Sequence, residues 1–70
     1  MAEMTWTQAD FVQKWNERLS DPERDERKGQ AAFNALHELD PDLANFVRGS
    51  KCDPFYRDEL VPNFLRMVFG

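Results

Sequence analysis

Trp6-Thr7-Gln8-Ala9-Asp10-Phe11-Val12-Gln13-Lys14-Trp15-Asn16-Glu17-Arg18-Leu19 is the stretch on which the reading of this chain turns. The Thr7 hydroxyl can accept a hydrogen bond from the amide of Asp10 while the Asp10 carboxylate reaches back, a capping box with Asp in place of the usual Glu. Trp6 and Phe11 stand where a hydrophobic staple would fix the entry of the chain. Phe11, Val12, Trp15 and Leu19 then recur at helical spacing, with Lys14, Glu17 and Arg18 on other faces, so residues 8–19 read as an amphipathic helix.

Beyond this helix the chain is punctuated by Asp21-Pro22, Asp40-Pro41 and Asp53-Pro54. Each pairs a good N-cap side chain with the one residue whose missing amide hydrogen costs nothing at the first helical position, so each reads as a helix start. The spacings differ and the intervening sequences are dissimilar, which argues against an internal duplication. A second helix is expected from about Pro22 or Asp25 to Leu39. Its first half, through Lys28, is almost wholly charged, and its second half carries an apolar stripe of Ala32, Phe33, Leu36 and Leu39. Gly29 lies at the change and costs about 1 kcal/mol relative to Ala inside a helix, so a fray, kink or break is expected there.

A third helix, Pro41 to Arg48, would bury Leu43, Phe46 and Val47, with Gly49 placed to end it in a left-handed conformation. Gly49 to Cys52 reads as a connector, and Pro54 to Arg57 as one helical turn. Pro62 disfavours the helical region for Val61 and is expected to open the final helix. Phe64, Leu65 and Val68 would face inward from it, with Met67 and Phe69 to the side. No stretch sustains the alternation of a strand. The expected fold is an all-α single domain over residues 1–70, of about four or five short helices, with residues 1–6 as a flexible N-terminal segment. The expected core is Trp15, Phe33, Leu36, Leu43, Phe46, Phe64, Leu65 and Val68.

Seventy residues fit one domain with a thin margin, since a chain of this size removes only roughly 60% of its unfolded surface from water. Six Phe, two Trp and one Tyr supply the apolar mass. Cys52 is the only cysteine, which excludes an intramolecular disulfide and a four-cysteine metal site and fits a reducing cytoplasm. The first six residues have neither a basic start nor an apolar core, and no run approaches the ~20 apolar residues that span a bilayer. Neither secretion nor membrane insertion is expected. The net charge is -4, and neither sign collects in one half of the chain, so a broad electrostatic footprint for nucleic acid is missing.

The candidates for chemistry are few. His37, Glu38, Asp40 and Asp42 could offer ligands to a divalent cation, but the spacing is that of neither a zinc helix nor a calcium loop. Cys52 stands near a proposed helix start, beside the Asp53 carboxylate, and reads as a buried or inert thiol. A Cys52–His37 nucleophilic pair would need a water-excluding pocket as well. No enzymatic activity, cofactor or metal is expected on this reading. A helix-turn-helix over Phe33 to Gly49 would present Asp42 and Asn45 with a single cation, Arg48, so no direct nucleic-acid binding is expected.

The segment Gly29-Gln30-Ala31-Ala32-Phe33-Asn34-Ala35-Leu36-His37-Glu38, with Asp42-Leu43-Ala44, Arg48-Gly49 and Asp53-Pro54-Phe55, resembles small uncharacterised proteins of bacteria and their phages. It covers roughly the last 40 residues. The resemblance implies a context, binding to a host or defence complex, and no residue-level activity.

Three functions remain as expectations. The first is a non-enzymatic interaction protein that binds another protein through Phe55, Tyr56, Arg57 and Phe69, residue types common at such surfaces; alternatively Phe55 and Phe69 fill the core. The second is a phage-type inhibitor of a nucleic-acid enzyme or defence complex, acting by occlusion or by mimicry of phosphate charge. Its carriers would be Glu38, Asp40, Asp42, Asp53, Asp58 and Glu59. The third is a homodimer whose thin core is completed by self-association.

Overall fold

Four α-helices and one short 3-10 turn make up the computed structural model, which describes residues 5–70: α1 Gln8–Ser20, α2 Lys28–Leu39, α3 Pro41–Val47, the turn Asp58–Leu60, and α4 Val61–Phe69. The described residues contain no strand. This is the small all-α domain expected. Helix α2 is its hub, packed against α1, α3, the 3-10 turn and α4. Its inward positions Ala31, Ala32, Ala35 and Leu36 have no solvent exposure, and Phe33 has almost none.

The capping box of α1 is present, with Asp10 N–H donating to Thr7 Oγ1 at 3.2 Å and Thr7 N–H to Asp10 Oδ2 at 3.0 Å. Both staple residues are buried. Phe11 meets Phe64 and Phe69 of α4 at ring-centroid distances of 6.0 and 5.4 Å, and Trp6 meets Phe69 edge-on at 5.8 Å. Of the N-terminal segment expected to be flexible, residues 1–4 lie outside the described residues, while Trp6 is seated in the core. Its indole N–H donates to Asp40 Oδ2 at 3.4 Å. Val12 and Leu19 are exposed, so the inward stripe of α1 is narrower than the apolar pattern predicts: Phe11, the half-buried Trp15, and Arg18.

Only one of the three Asp-Pro steps starts a helix. At Asp40-Pro41 the carboxylate accepts from the amide three residues on, Leu43 N–H at 3.1 Å, and caps α3. At the other two it accepts from the amide two residues on, Glu23 N–H at 2.9 Å and Phe55 N–H at 3.0 Å, which makes an Asx turn instead. Between Asp40-Pro41 and Asp21-Pro22 the residues after the proline make the difference. Leu43, Ala44 and Val47 give α3 a face to bury, whereas Glu23-Arg24-Asp25 has none. The expected start of the second helix at Pro22 or Asp25 is thereby corrected to Lys28. Asp21 ends α1, Pro22 sits in a turn, and Asp25 takes a left-handed φ of 47°. The turn predicted for Pro54 to Arg57 is a single bend closed by Arg57 N–H to Pro54 O at 3.1 Å. The final helix begins one residue before Pro62, with Val61 itself helical, because the preceding 3-10 turn runs straight into it.

The charged connector is tied down by Arg18. Its Nη1 lies 2.9 Å from Glu26 Oε2 and its Nε 3.0 Å from Glu38 Oε2, joining α1 to the connector and to the far end of α2. The Arg18 and Glu26 side chains are only 11% and 9% exposed, and Glu26 Oε1 is buried without a partner among the described residues. Removal of a partner from a buried ion pair costs about 3–5 kcal/mol when the remaining charge is left uncompensated. Without Arg18 the Glu26 carboxylate would retain only the longer contact to the exposed Arg24, whose Nη1 is 3.8 Å away. Arg18→Ala should therefore lose about 3 kcal/mol in urea denaturation, much of the roughly 4–10 kcal/mol expected for a chain of this length. The double substitution Arg18→Met with Glu26→Leu should recover most of that loss. A single variant as stable as the wild type would show that the pair is solvated.

Candidate interaction surface

The N-terminus of α2 has no cap of its own: Arg27, the residue before it, makes no side-chain bond to the first turn, and the turn contains no acid. The missing group arrives from 29 residues away. Asp58 Oδ1 accepts from Gly29 N–H at 2.9 Å, and the Arg27 guanidinium donates to Phe55 O at 3.0 Å. Gly29 does not break the helix. It is buried in the first turn, where a β-carbon would overlap the Pro54 carbonyl oxygen. Pro54 is fully buried. The close approach of two backbones is what requires glycine there.

With Pro54, Phe55 and Asp58 fixed to α2, the residues between them are held outward. Asp53 closes the loop from the other side, accepting from Gly49 N–H at 2.8 Å as well as from Phe55 N–H. Gly49 has the left-handed φ expected of it, 77°. Phe55 is half-buried, edge-on to Phe33 at 5.7 Å and to Tyr56 at 4.8 Å. Tyr56 is 77% exposed. The Arg48 guanidinium lies over the Phe33 ring, 5.7 Å from its centroid. Together Phe33, Arg48, Asp53, Phe55 and Tyr56 line a cleft of about 230 Å³. A shallower depression on the other side of Tyr56 is lined by Lys51, Arg57 and Leu60 among others.

Of the four residues expected to contact a partner, Phe55, Tyr56 and Arg57 thus fall on one surface. Phe69 does not: it is half-buried against Trp6 and Phe11 and belongs to the edge of the core. Phe46 is a correction in the opposite sense. Placed in the core by the sequence, it is 70% exposed, because α3 turns Leu43, Ala44 and Val47 towards the rest of the protein. In a helix of seven residues those three positions set the inward arc, and Phe46 lies about 100° from its centre at 3.6 residues per turn. Arg48 is not among the residues expected to contact a partner. Its only signal in the sequence is that of a cation at the end of a short apolar helix.

Of the six acids proposed as phosphate mimics, Asp40, Asp53, Asp58 and Glu38 are engaged in holding the fold together, while Asp42 and Glu59 are exposed. Asp40, Asp53 and Asp58 accept from backbone amides, Glu38 pairs with Arg18, and Glu59 lies 3.7 Å from Arg57. Asp42 is in the first turn of α3, where the helix dipole favours a negative charge. Among the described residues no three His, Cys, Asp or Glu side chains gather as a metal site would require. Cys52 is half-buried beside Asn63, Arg66 and Met67, a depression that contains no general base. None of the described helices is long and apolar enough to cross a membrane. The outer face of α1 offers a shallow, open surface around the exposed Val12, flanked by Ala9 and by the polar side chains of Gln8, Gln13, Asn16 and Glu17.

Comparison with protein-family models, with curated proteins and with solved structures finds no match.

An exposed aromatic on the surface and a buried one in the cleft wall differ in what they contribute to folding. Phe46→Ala should change stability by no more than about 0.5 kcal/mol. Phe33→Ala should cost about 3–5 kcal/mol. Thermal denaturation of the two variants checks this, and a large loss at Phe46 would mean that it is covered in solution.

Proposed function

We infer that this chain is a non-enzymatic protein–protein interaction protein whose contact surface is the ridge of Tyr56 and the clefts beside it. The observation that carries this reading is the 77% exposure of Tyr56 on the rim of an aromatic-walled cleft, in a chain that buries or half-buries both its tryptophans. Tyr and Arg are, with Trp, the residues enriched among the energetic anchors of interfaces, and here they stand together. The loop that presents them is held by Asp53, Asp58 and Arg27, so little conformational entropy is lost on docking. The cleft is also smaller than the roughly 300–1,000 Å³ typical of cofactor and drug-sized ligand sites, which favours a partner's side chain as its occupant.

An inhibitor that occludes a site on a host enzyme or defence complex would work through the same surface, and the identity of the bound protein separates that case from other partnerships. The test is photo-crosslinking in the chain's own host, with a benzoylphenylalanine at position 56 and, as control, at position 13 on the outer face of α1. One stoichiometric protein adduct from position 56 and none from position 13 is the expected result. No adduct from position 56, or equal adducts from both, would contradict the reading.

A further inference from the structure

The two depressions beside Tyr56 are lined by more cations than carboxylates, in a chain whose net charge is -4. Arg48, Lys51 and Arg57 line the two adjoining depressions, and the only carboxylate in either lining is Asp53. Both Asp53 oxygens are committed internally, one to Gly49 N–H and the other to Phe55 N–H. Arg48 and Lys51 have no ion-pair partner among the described residues. Arg57 has one at 3.7 Å, between groups 69% and 72% exposed, an arrangement that contributes little. A chain of net charge -4 thus shows a cationic and aromatic face whose cations are available to something else.

We propose that this face binds an acidic, apolar peptide segment of a partner protein, with a carboxylate on Arg48 and a neighbouring apolar side chain between Phe33, Phe55 and Tyr56. The proposal rests on the interaction reading above and specifies the partner's chemistry. Charge complementarity selects the occupant. The Arg48 guanidinium is already oriented by the Phe33 ring, and its planar fork matches a carboxylate with two parallel hydrogen bonds. The cleft beside it, at about 230 Å³, suits one side chain. A single-stranded nucleic acid also pairs cations with aromatic rings, but it brings a dense array of phosphates towards a chain whose total charge is negative. A short peptide with one or two carboxylates meets only the local cations.

The test is a random peptide library displayed against the full-length chain, alongside the Arg48→Glu and Lys51→Glu variants and a twelve-nucleotide oligothymidine. Both substitutions are at exposed positions, and circular dichroism checks that the variants keep the fold. The wild-type chain should enrich peptides with Asp or Glu beside Leu, Phe or Trp. A selected peptide should bind at least tenfold more weakly to Arg48→Glu, and its amide analogue, Asn or Gln for the acid, should bind the wild type about as weakly. Enrichment of basic or uncharged peptides, or of no motif, would overturn the proposal, as would affinity unaltered by Arg48→Glu. Tighter binding of the oligothymidine than of any peptide, or self-association that Arg48→Glu abolishes, would overturn it in favour of those occupants. If crosslinking from position 56 captures a partner whose binding neither variant weakens, the interaction reading stands and this one fails.

Discussion

The hydrogen bond from Gly29 N–H to Asp58 is the contact on which the arrangement of this small domain depends. Helix α2 touches every other element, yet its own sequence supplies neither a capping side chain nor an acid in its first turn. Orphan amides at a buried helix end have to be satisfied from somewhere. Here the acceptor arrives with the 3-10 turn, and its negative charge also complements the helix dipole. The bond is possible only because Gly29 lets the Pro54 backbone approach. One missing β-carbon thereby determines where the chain runs after Asp53, and with it where Phe55 and Tyr56 stand.

The same economy runs through the other polar contacts. Asp40 caps α3 with one oxygen and receives the Trp6 indole with the other, so one side chain ties the N-terminal segment to the α2–α3 corner. Arg18 joins three stretches of chain through two carboxylates. The Trp15 indole donates to Lys28 O at 3.0 Å, fastening α1 to the start of α2. A chain with no disulfide and a small core gains its rigidity from such doubly used groups. Glu26, Glu38, Asp40, Asp53 and Asp58 are thereby spent on the fold, while Arg48, Lys51 and Tyr56 are left facing outward.

Local physics is legible in the sequence and non-local physics is not. The Thr7–Asp10 capping box, the Asp40 cap of α3 and the left-handed Gly49 each involve residues a few positions apart, and each is found where the pattern places it. Asp21-Pro22 has the same local signal but lacks an apolar face after the proline, and at Asp53-Pro54 the apolar residues Pro54 and Phe55 are instead spent on packing against α2; at both, an Asx turn takes the place of a helix. Gly29 reads as a weakness in the sequence because its reason lies in Pro54 and Asp58, which no window of a dozen residues includes. Phe46 is misplaced by the pattern for a similar cause: which arc of a two-turn helix faces inward is decided by the helix it packs on. At the candidate surface, Phe55, Tyr56 and Arg57 are identifiable by residue type alone. Arg48 and Phe33 join them only through the fold.

Native-state amide hydrogen exchange at Gly29 tests the central claim most directly, because an amide capped from a distance is protected only while the distant segment stays docked. In the wild-type chain the Gly29 amide should exchange as slowly as the amides in the interior of α2. In Asp58→Ala it should lose that protection together with Phe55, while Leu43, capped by its own Asp40, keeps its relative protection. A Gly29 amide that exchanges freely in the native chain, or that is indifferent to Asp58→Ala, would contradict the account.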